Sequence, residues 1–330
     1  MASFRVGTRG SALATTQTGM AARALSELGG RDHEIVLIKT EGDVNMAPLT
    51  KIGGTGVFVA ALRQALLDNT CDVAVHSLKD LPAAGYPGLV IGAYSVREDV
   101  RDALCAADGH TLATLPEGAV IGTGSPRRAA QLKLARPDLN IVGIRGNVDT
   151  RLGRVRREGR EVIEGKQGDL DAVVLAASGL IRLGREEFVT EYLDPSVMLP
   201  APGQGALAIE ARATADGAVE EELASMLAGY DHLPTRLAVV AERSVLRTLA
   251  AGCAAPIGGY ATYNEDSGEL KLDVIVANVD GSEHVTASGQ ITVDHNETDA
   301  EASADALGAS VAEELRHSAA HLITRENHFG

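Results

Sequence analysis

Residues 6–14 read VGTRGSALA and residues 121–130 read IGTGSPRRAA, and these two stretches share one pattern. Each one leaves a strand pattern through Gly-Thr and a serine and enters a helical pattern. Ser11 and Ser125 have the position and chemistry of helix N-caps, and Pro126 follows at the first helical position, where its missing N–H costs nothing. Because the same strand–turn–helix unit occurs twice, it predicts two similar α/β domains that face each other.

The strand and helix patterns around these stretches alternate along the first two thirds of the chain. Such alternation is typical of βαβ units and a mainly parallel sheet. The predicted strands are 4–8, 34–40, 72–77, 89–95, 119–124, 140–146 and 171–177, and the predicted helices are 12–28, 57–68, 126–135, 148–158 and 219–228. Ligands of such sheets bind at the carboxyl ends of the strands, beside helix N-termini that favour anions. We therefore expect an anion site there.

The last third of the chain has a different pattern. A helix predicted over 234–250 ends before Gly252, and three alternating runs follow at 257–263, 269–279 and 284–293. The turn signals NEDSG and DGS separate these runs, which indicates an antiparallel meander. An amphipathic helix is predicted over about 298–316. Together these elements predict a small α+β domain with a three-stranded antiparallel sheet.

Composition and charge exclude several classes of protein. The 330 residues carry 30 basic and 45 acidic side chains, a formal net charge of −15, which argues against a non-specific nucleic-acid binder. No run approaches the roughly 20 apolar residues of a membrane span, and the N-terminus lacks the apolar core of a signal peptide. We therefore expect a cytoplasmic protein that binds neither nucleic acid nor membrane. Three cysteines without CxxC spacing predict no disulfide framework.

Arginine is the dominant cation, with 24 arginines and only six lysines. For 154–160 a solvated charge run is the simpler interpretation, but other arginines lie in Gly/Ser-rich loops. The loop arginines are Arg9, Arg127, Arg128, Arg145, Arg151 and Arg182. Since the guanidinium fork suits bidentate carboxylate binding, they predict a ligand with several negative charges. His317 and His321 are spaced i, i+4 without carboxylate support, so no metal site is predicted.

The stretch DVAVHSLKDLP, residues 72–82, runs from a buried strand directly into Lys79 and Asp80. An aspartate at the carboxyl end of a parallel strand can reach the cleft and act as a general acid or base, or stabilise a cation. The alternative is that Asp80 only caps a turn or helix, which is a common task of aspartate at such a place.

The stretch AAGCAAPIGGYA, residues 250–261, surrounds Cys253 with small residues. Nucleophilic thiols usually lie at helix N-termini or beside a base, whereas this one follows a predicted helix C-terminus, whose dipole disfavours a thiolate. The position therefore suits a permanent covalent tether, with room for the attached group. A Cys-dependent hydrolase is disfavoured for the same reason. A binding protein for a polyanion stays open as an alternative, but it gives Cys253 no task.

Seven motifs occur in order between about residues 4 and 292: GTRGSALA, GGTGVF, VHSLKDLP, GTGSPRR, IRGNVDTRL, LPAPGQGALAIE and GCAAPIGGY. In this set the chain resembles the porphobilinogen deaminases, also called hydroxymethylbilane synthases. The resemblance implies two α/β domains similar to periplasmic binding proteins, over 1–95 with 198–215 (domain 1) and over 98–195 (domain 2). It implies a third, small α+β domain over 218–330 (domain 3).

The resemblance also implies an activity. Members of the family are transferases of haem and tetrapyrrole biosynthesis that condense four porphobilinogen molecules head to tail, with release of ammonia, into the linear tetrapyrrole hydroxymethylbilane. A dipyrromethane cofactor, attached through a thioether to the motif cysteine, serves as primer. For this chain we therefore expect a small-molecule substrate and a monomeric, cytoplasmic enzyme.

Residue by residue, the family's functional positions fall on residues of this chain. The resemblance implies a catalytic role for Asp80, a thioether at Cys253, cofactor contacts by Lys79, Ser125, Arg127, Arg128 and Arg145, and substrate contacts by Arg9, Ser11, Lys51, Arg151 and Arg182. Two departures bear on the site. Thr55 replaces the family's usual loop lysine, which leaves Lys51 as the cation of that loop. Asp149 stands where glycine is common, and we expect it to turn outward.

Overall fold

The computed structural model describes residues 3–39, 57–159, 161–251, 255–294, 299–319 and 322. Its strands are β1 Phe4–Thr8, β2 His33–Leu37, β3 Val73–Ser77, β4 Leu89–Tyr94, β5 Asp102–Ala106, β6 Val120–Thr123, β7 Asn140–Gly143, β8 Ala172–Ala176, β9 Glu191–Leu193, β10 Leu207–Arg212, β11 Ile257–Asn264, β12 Glu269–Ala277 and β13 His284–Thr292. Its α-helices are α1 Ala12–Gly29, α2 Val57–Leu67, α3 Pro126–Ala135, α4 Val148–Leu152, α5 Ala177–Leu183, α6 Glu221–Tyr230, α7 Leu233–Thr248 and α8 Ala300–Ser318.

The first sheet has the strand order β2-β1-β3-β10-β4. β1 pairs in parallel with β2 and β3, whereas β10 runs antiparallel between β3 and β4, with Leu207 opposite Ser77. The buried side chains of Phe4, Val6 and Leu25 belong to its core, because alternate residues of the strands face the flanking helices. Because β1, β2 and β3 are parallel, their carboxyl ends lie at one edge of the sheet. Arg9 follows β1 and Lys79 follows β3 at this edge.

The second sheet repeats this arrangement with the order β7-β6-β8-β5-β9. β6 pairs in parallel with β7 and β8, and β5 runs antiparallel between β8 and β9, with Asp102 opposite Ala176. The chain passes between the two sheets twice, along residues 95–101 (the first crossing segment) and 194–206 (the second crossing segment). Each sheet thus receives its antiparallel strand immediately after a crossing.

The third sheet is an antiparallel meander in the order β11-β12-β13. Helices α7 and α8 pack on it and on each other, and they share an apolar core in which Leu237, Leu272 and Leu315 are fully buried. The α+β domain predicted from the last third of the chain is confirmed. Two α/β units followed by a small α+β unit are therefore the fold of this chain.

The helix caps follow the sequence prediction. Ser11 Oγ accepts a hydrogen bond from the backbone N–H of Ala14 at 3.3 Å, and Ser125 Oγ accepts one from Arg128 at 3.4 Å. Asn147, which the sequence marks as a cap, accepts one from Thr150 at 2.8 Å. These caps satisfy N–H groups that the first turn of a helix leaves without a backbone partner.

Some boundaries differ from the prediction. The helix predicted over 148–158 ends at Leu152, because the chain turns at Gly153 and Val155 then forms a bridge with Leu170. Helix α7 ends at Thr248 rather than 250, and Ala250 takes the left-handed conformation with φ of 51°. Strands β5, β9 and β10 are absent from the predicted set. β5 follows the charged stretch REDVR, β9 has only three residues, and β10 lies mostly inside the motif LPAPGQGALAIE, which was not predicted as a strand. Gly252 lies outside the described residues.

Helix α6 packs with the first sheet. Its Leu223, Met226 and Leu227 are buried in the same core as β1 and β3, although the predicted boundary at residue 218 assigns the helix to domain 3. Among the residues that the structure describes, no helix combines the length and the apolar character needed to cross a membrane.

Candidate active site

The candidate residues follow the carboxyl ends of parallel strands in both α/β domains. Arg9 and Ser11 follow β1, and Lys79 and Asp80 form a 3₁₀ turn immediately after β3. In domain 2, the corresponding turns carry Ser125 with Arg127 and Arg128 after β6, Arg145 with Arg151 after β7, and Arg182 on α5 after β8. Helices α1 and α5 contact each other, so the two sets of turns face one another.

Arg127 and Arg128 are both buried and converge on one carboxylate, Asp102. Arg127 Nη1 donates to Asp102 Oδ2 at 2.7 Å, and Arg128 Nε donates to Asp102 Oδ1 at 2.9 Å. Asp102 is fully buried at the start of β5. Burial alone would raise the pKa of this carboxyl, but the charges and hydrogen bonds of the two guanidinium groups hold it well below its usual value. A charge-assisted network therefore fixes both arginines.

This network leaves donor capacity unused. Arg127 Nη1 also donates to the Leu199 carbonyl at 2.7 Å, and Arg128 Nη1 donates to the Val174 carbonyl at 3.1 Å. Arg127 Nε, however, is buried and has no hydrogen-bond partner among the described residues. An unpaired buried N–H of a cation is costly unless a ligand accepts from it. The residues present therefore fit an anionic cofactor with carboxylate groups.

Lys79 belongs to the same neighbourhood although it lies on domain 1. Burial lowers the pKa of its ammonium to about 8; Arg128 and Arg127 act in the same direction, against Asp80 and Asp102. Its Nζ donates to Gln204 Oε1 at 3.2 Å. A lysine whose charge is disfavoured by burial and by neighbouring cations marks a place where negative charge is needed.

Asp80 differs from the other acid of this cluster because it is exposed. No described residue donates a hydrogen bond to its side chain, so the alternative of a turn or helix cap finds no support within the described part of the chain. Its charge is coupled to Lys79 and, across the cleft, to Arg151. Burial lowers the pKa of Arg151, Arg128 lowers it further, and Asp80 opposes both. Asp80 thus faces several cations without being neutralised by one of them.

The other candidate cations among the described residues are Arg182, Arg145 and Arg9. Arg182 Nη2 donates to the carbonyl of Gly205 in the second crossing segment at 2.5 Å, and burial lowers its pKa while Glu98 and Tyr230 oppose that shift. Arg145 is exposed and acts electrostatically on Arg151. Arg9 is half-buried in the turn between β1 and α1. The structure therefore brings five of the predicted cations into electrostatic contact, namely Lys79, Arg127, Arg128, Arg145 and Arg151, and it holds Arg182 at the domain crossing.

Helix α7 of domain 3 forms hydrogen bonds to the turn that carries Asp80. Arg243 on α7 donates to the carbonyls of Leu81 at 2.8 Å and Pro82 at 2.7 Å, directly after Asp80. The neighbouring Glu242 is fully buried and accepts from both terminal nitrogens of Arg97 in the first crossing segment, at 2.7 and 3.0 Å. Helix α7, which precedes the predicted tether residue Cys253, therefore bonds both to the turn that carries Asp80 and to the first crossing segment.

Three functional elements of this geometry were not predicted from the sequence: Asp102, Gln204 and the pair Glu242–Arg243. Asp102 and Glu242 stand in charged stretches and resemble surface acids. Gln204 lies in the quoted motif LPAPGQGALAIE, where two flanking glycines were the available signal of close backbone packing. Asp149, as expected, turns outward: its exposed carboxylate accepts from Arg185 Nε at 2.9 Å. Cys253 and Lys51 lie outside the described residues.

The other two cysteines are buried and free. Burial, together with the Asp72 charge, raises the pKa of Cys71 to about 11, and burial raises the pKa of Cys105 to about 12. Both thiols are therefore protonated near neutral pH and inaccessible, so neither is suited to carry a covalent group. Since the chain has three cysteines, Cys253 is the remaining one.

Comparison with known proteins agrees with this geometry. Residues 4–221 match the family model described as porphobilinogen deaminase, dipyromethane cofactor binding domain, and residues 236–317 match the porphobilinogen deaminase C-terminal domain. The porphobilinogen deaminase of Cutibacterium acnes is 55% identical over 96% of this chain and 95% of that protein. The one from Micrococcus luteus is 51% identical over 89% of this chain and 83% of that protein.

Among solved structures, an ABC transporter periplasmic substrate-binding protein from Coxiella burnetii is similar over 69% of this chain and 91% of that chain, with a TM-score of 0.41 and 17% sequence identity. The matched family domains span both the cation-lined cleft and the α+β domain that follows it. The chain therefore belongs to the porphobilinogen deaminase family.

Proposed function

We propose that this chain is a porphobilinogen deaminase. It joins four porphobilinogen molecules head to tail, releases ammonia at each condensation, and yields the linear tetrapyrrole hydroxymethylbilane on a dipyrromethane primer held by Cys253. The observation that carries this proposal is the cation-lined cleft. It lies in a chain that matches both family domains of this enzyme. In the cleft, Lys79 and the domain 2 arginines outnumber the nearby carboxylates, while Asp80 stays exposed among them.

The cations bind the carboxylates of the pyrroles. Each porphobilinogen unit carries an acetate and a propionate, and arginine accepts such groups through paired N–H donors. Arg127 contributes the buried Nε that lacks a described partner. Arg128 and Lys79 add positive charge beside it, and Arg151 faces them from α4. The dipyrromethane, when attached, supplies the pyrrole carbon to which the first substrate unit is joined.

Asp80 acts on charge and protons. Loss of ammonia from porphobilinogen leaves positive charge on the pyrrole that has lost its amine, and a carboxylate within reach offsets that charge. The same carboxylate takes the proton that the newly bonded pyrrole carbon must lose. Because Asp80 is exposed and is not consumed by an ion pair, it keeps this capacity. Arg9, Ser11, Ser125, Arg145, Arg182 and Lys51 complete the proposed contacts to cofactor and substrate.

The tether is tested by the mass of the intact protein. A purified, active preparation should exceed the polypeptide mass by two pyrrole units, and Cys253→Ser should remove this increment and the colour reaction with acidic aldehyde reagent, because oxygen cannot form the thioether. Cys71→Ser and Cys105→Ser are the matched controls, and both should keep the added mass. Colour that survives in Cys253→Ser would place the tether elsewhere.

Turnover is tested directly with porphobilinogen. We expect ammonia and hydroxymethylbilane in a ratio of about four to one, the latter detected as uroporphyrin after cyclisation and oxidation. Binding of porphobilinogen without ammonia release would instead support the alternative of a binding protein. We further propose that the protein is a transferase that acts as a monomer in the cytoplasm; sedimentation at micromolar concentration tests the monomer.

A further inference from the structure

Gln204 in the second crossing segment is fully buried and connects the two α/β domains through one side chain. Its Oε1 accepts from Lys79 Nζ at 3.2 Å, on the turn of domain 1. Its Nε2 donates to Asp102 Oδ1 at 3.0 Å and to the Val100 carbonyl at 2.7 Å. One buried side chain therefore bonds to groups of both α/β domains.

The orientation of this amide is fixed by its partners. An ammonium group can only donate and an ionised carboxylate can only accept, so the oxygen must face Lys79 and the nitrogen must face Asp102. A flipped amide would place its NH2 group against the Lys79 ammonium and its oxygen against two acceptors, Asp102 Oδ1 and the Val100 carbonyl. The side chain is therefore a directed link between the Lys79 ammonium and the carboxylate that holds Arg127 and Arg128.

The backbone that carries Gln204 is equally constrained. Gly203 and Gly205 both have positive φ, at 78° and 92°, where other residues are strained. A Cβ at Gly203 would lie 2.9 Å from Leu78 Cγ, and a Cβ at Gly205 would collide with the Glu98 carbonyl oxygen. The segment thus passes in close contact between the turn of domain 1 and the first crossing segment, and it leaves the glutamine little freedom to move.

We propose that Gln204 is a positioning residue that directs the Lys79 ammonium into the cleft and ties it to the Asp102 anchor of the domain 2 arginines. This inference rests on the proposed function and deepens it, because it names how the cations of two domains are kept in register for one polyanionic ligand. Gln204 itself contacts no reacting atom; it acts through Lys79.

Charge balance explains why the acceptor is an amide. The charged groups around Lys79 are Arg127 and Arg128 on α3, Asp102 on β5, and its neighbour Asp80. Burial lowers the pKa of Lys79 to about 8. A neutral acceptor orients the ammonium without neutralising it, so its charge remains available to a ligand carboxylate. Without the Gln204 oxygen the charged form loses a hydrogen bond, and the pKa of Lys79 should fall further.

The test measures Lys79 itself in the holoenzyme. Trace acetylation with acetic anhydride between pH 6 and 10, followed by peptide mass spectrometry, reports the pH midpoint at which the Lys79 amine becomes reactive. For Gln204→Met we expect this midpoint to move to lower pH by about half a unit or more. We also expect kcat/KM for porphobilinogen to fall about tenfold, as for loss of a hydrogen bond to a charged group.

Gln131→Met is the matched control. Gln131 is also buried and also holds the second crossing segment, since its side chain bonds both the N–H and the carbonyl of Leu199, at 2.8 and 3.0 Å. It has no contact with Lys79. If the glutamines only support the segment, both variants will leave the Lys79 midpoint unchanged, and that result would overturn the proposal.

A double-mutant cycle supplies the second criterion. In the Lys79→Met background, Gln204→Met should cost little further activity, because the group through which it acts is gone. An equal loss in both backgrounds would contradict the proposal. Should Gln204→Met fail to fold, Gln204→Asn keeps a polar amide but is too short to reach both partners, and the same midpoint shift is expected. The labelling needs no turnover, so a shifted midpoint in an inactive protein would refute the proposed activity alone.

Discussion

The third strand of each α/β sheet ends in a different way, although the two sheets have the same topology. In domain 1, Ser77 at the end of β3 pairs with Leu207, and the chain continues into the turn with the exposed Asp80. In domain 2, Ala176 at the end of β8 pairs with Asp102, and helix α5 begins at the next residue. One domain exposes its carboxylate to the cleft, and the other buries it beneath the cleft wall.

The difference divides the work of the site between the domains. The buried Asp102 carboxylate has a structural role, because it pairs with the guanidinium groups of Arg127 and Arg128 and orients them toward the cleft. An exposed carboxylate at the equivalent edge keeps its charge free for a reaction. The same framework thus provides a receptor for anions on one side and a group for charge and proton transfer on the other. This division of labour can be broken at four points.

The largest expected effect comes from Asp80→Asn. Removal of a charged acid–base group typically costs about 10² to 10⁴ in rate, and we expect kcat to fall by that order while the added cofactor mass persists. Because the side chain is exposed, the midpoint of thermal unfolding should stay unchanged. A rate near that of the wild type would remove Asp80 from the reaction and make the turn a purely structural element.

Local features of this comparison could be predicted from the sequence. Ser11 and Ser125 cap their helices because each bonds an N–H three residues ahead, a relation contained in a few neighbouring residues. The turn with Asp80 could be predicted in the same way, because it directly follows the strand pattern of residues 72–77. The loop arginines could be predicted as anion ligands, because arginines in Gly/Ser-rich turns are seldom part of a solvated helix face.

Long-range partners could not be predicted in this way. Asp102 lies in the stretch REDVRDALC, where it resembles one more surface acid; only the pairing of β5 with β8 buries it against the arginines of α3. Gln204 likewise becomes meaningful only when the second crossing segment meets both Lys79 and Asp102. Such contacts depend on segments far apart in the chain, and a single sequence carries little signal for them.

The second prediction concerns Asp102→Asn, which tests the receptor side. The amide cannot balance two guanidinium groups that are almost fully buried, and an uncompensated buried charge costs about 3–5 kcal/mol of unfolding free energy. Urea unfolding measures this loss. Asp138→Asn is the matched control, since its pair with Arg136 lies at the surface, and it should leave the urea midpoint nearly unchanged. Equal effects in the two variants would mean that the buried pair has no special weight.

The pH dependence of that difference carries a sign. The folded pKa of Asp102 lies well below the unfolded value of about 3.9, so its contribution to stability is complete above that value and is lost as the pH falls toward the folded pKa. Wild type and Asp102→Asn should therefore differ fully at neutral pH and converge only in strong acid. A gap that closes already between neutral pH and about pH 5 would contradict the assignment.

The third prediction tests the contact across the cleft. Arg151→Ala removes a half-buried cation whose charge is coupled to Asp80, and loss of one charge-assisted hydrogen bond costs about 1.5–3 kcal/mol. We expect KM for porphobilinogen to rise about tenfold to a hundredfold, with a smaller change in kcat. Arg154→Ala is the control, because Arg154 is engaged with Asp169 at 2.9 Å. If both variants raise KM alike, the effect reflects general charge and not the cleft.

The smallest effect is expected from Lys51→Ala in domain 1. Lys51 lies outside the described residues, and its proposed substrate contact rests on the family resemblance, with Thr55 in place of a second loop lysine. We expect it to act as a single solvated cation. Such a cation is worth about 0.2–1 kcal/mol, so kcat/KM should fall by at most about fivefold at low salt.

This small loss should shrink further as ionic strength rises, because salt screens an exposed charge. Lys166→Ala, which removes an exposed lysine of domain 2, should have no effect at either salt concentration. The comparison separates two ways in which a cleft can attract a polyanion. Arg127 and Arg128 are held by the buried counter-charge of Asp102, which salt does not reach, so they should retain their effect on KM in high salt, whereas the contribution of Lys51 should vanish there. A loss in Lys51→Ala that persists in high salt would mean that this lysine is as firmly held as the arginines, and the two domains would then differ less than their buried and exposed carboxylates suggest.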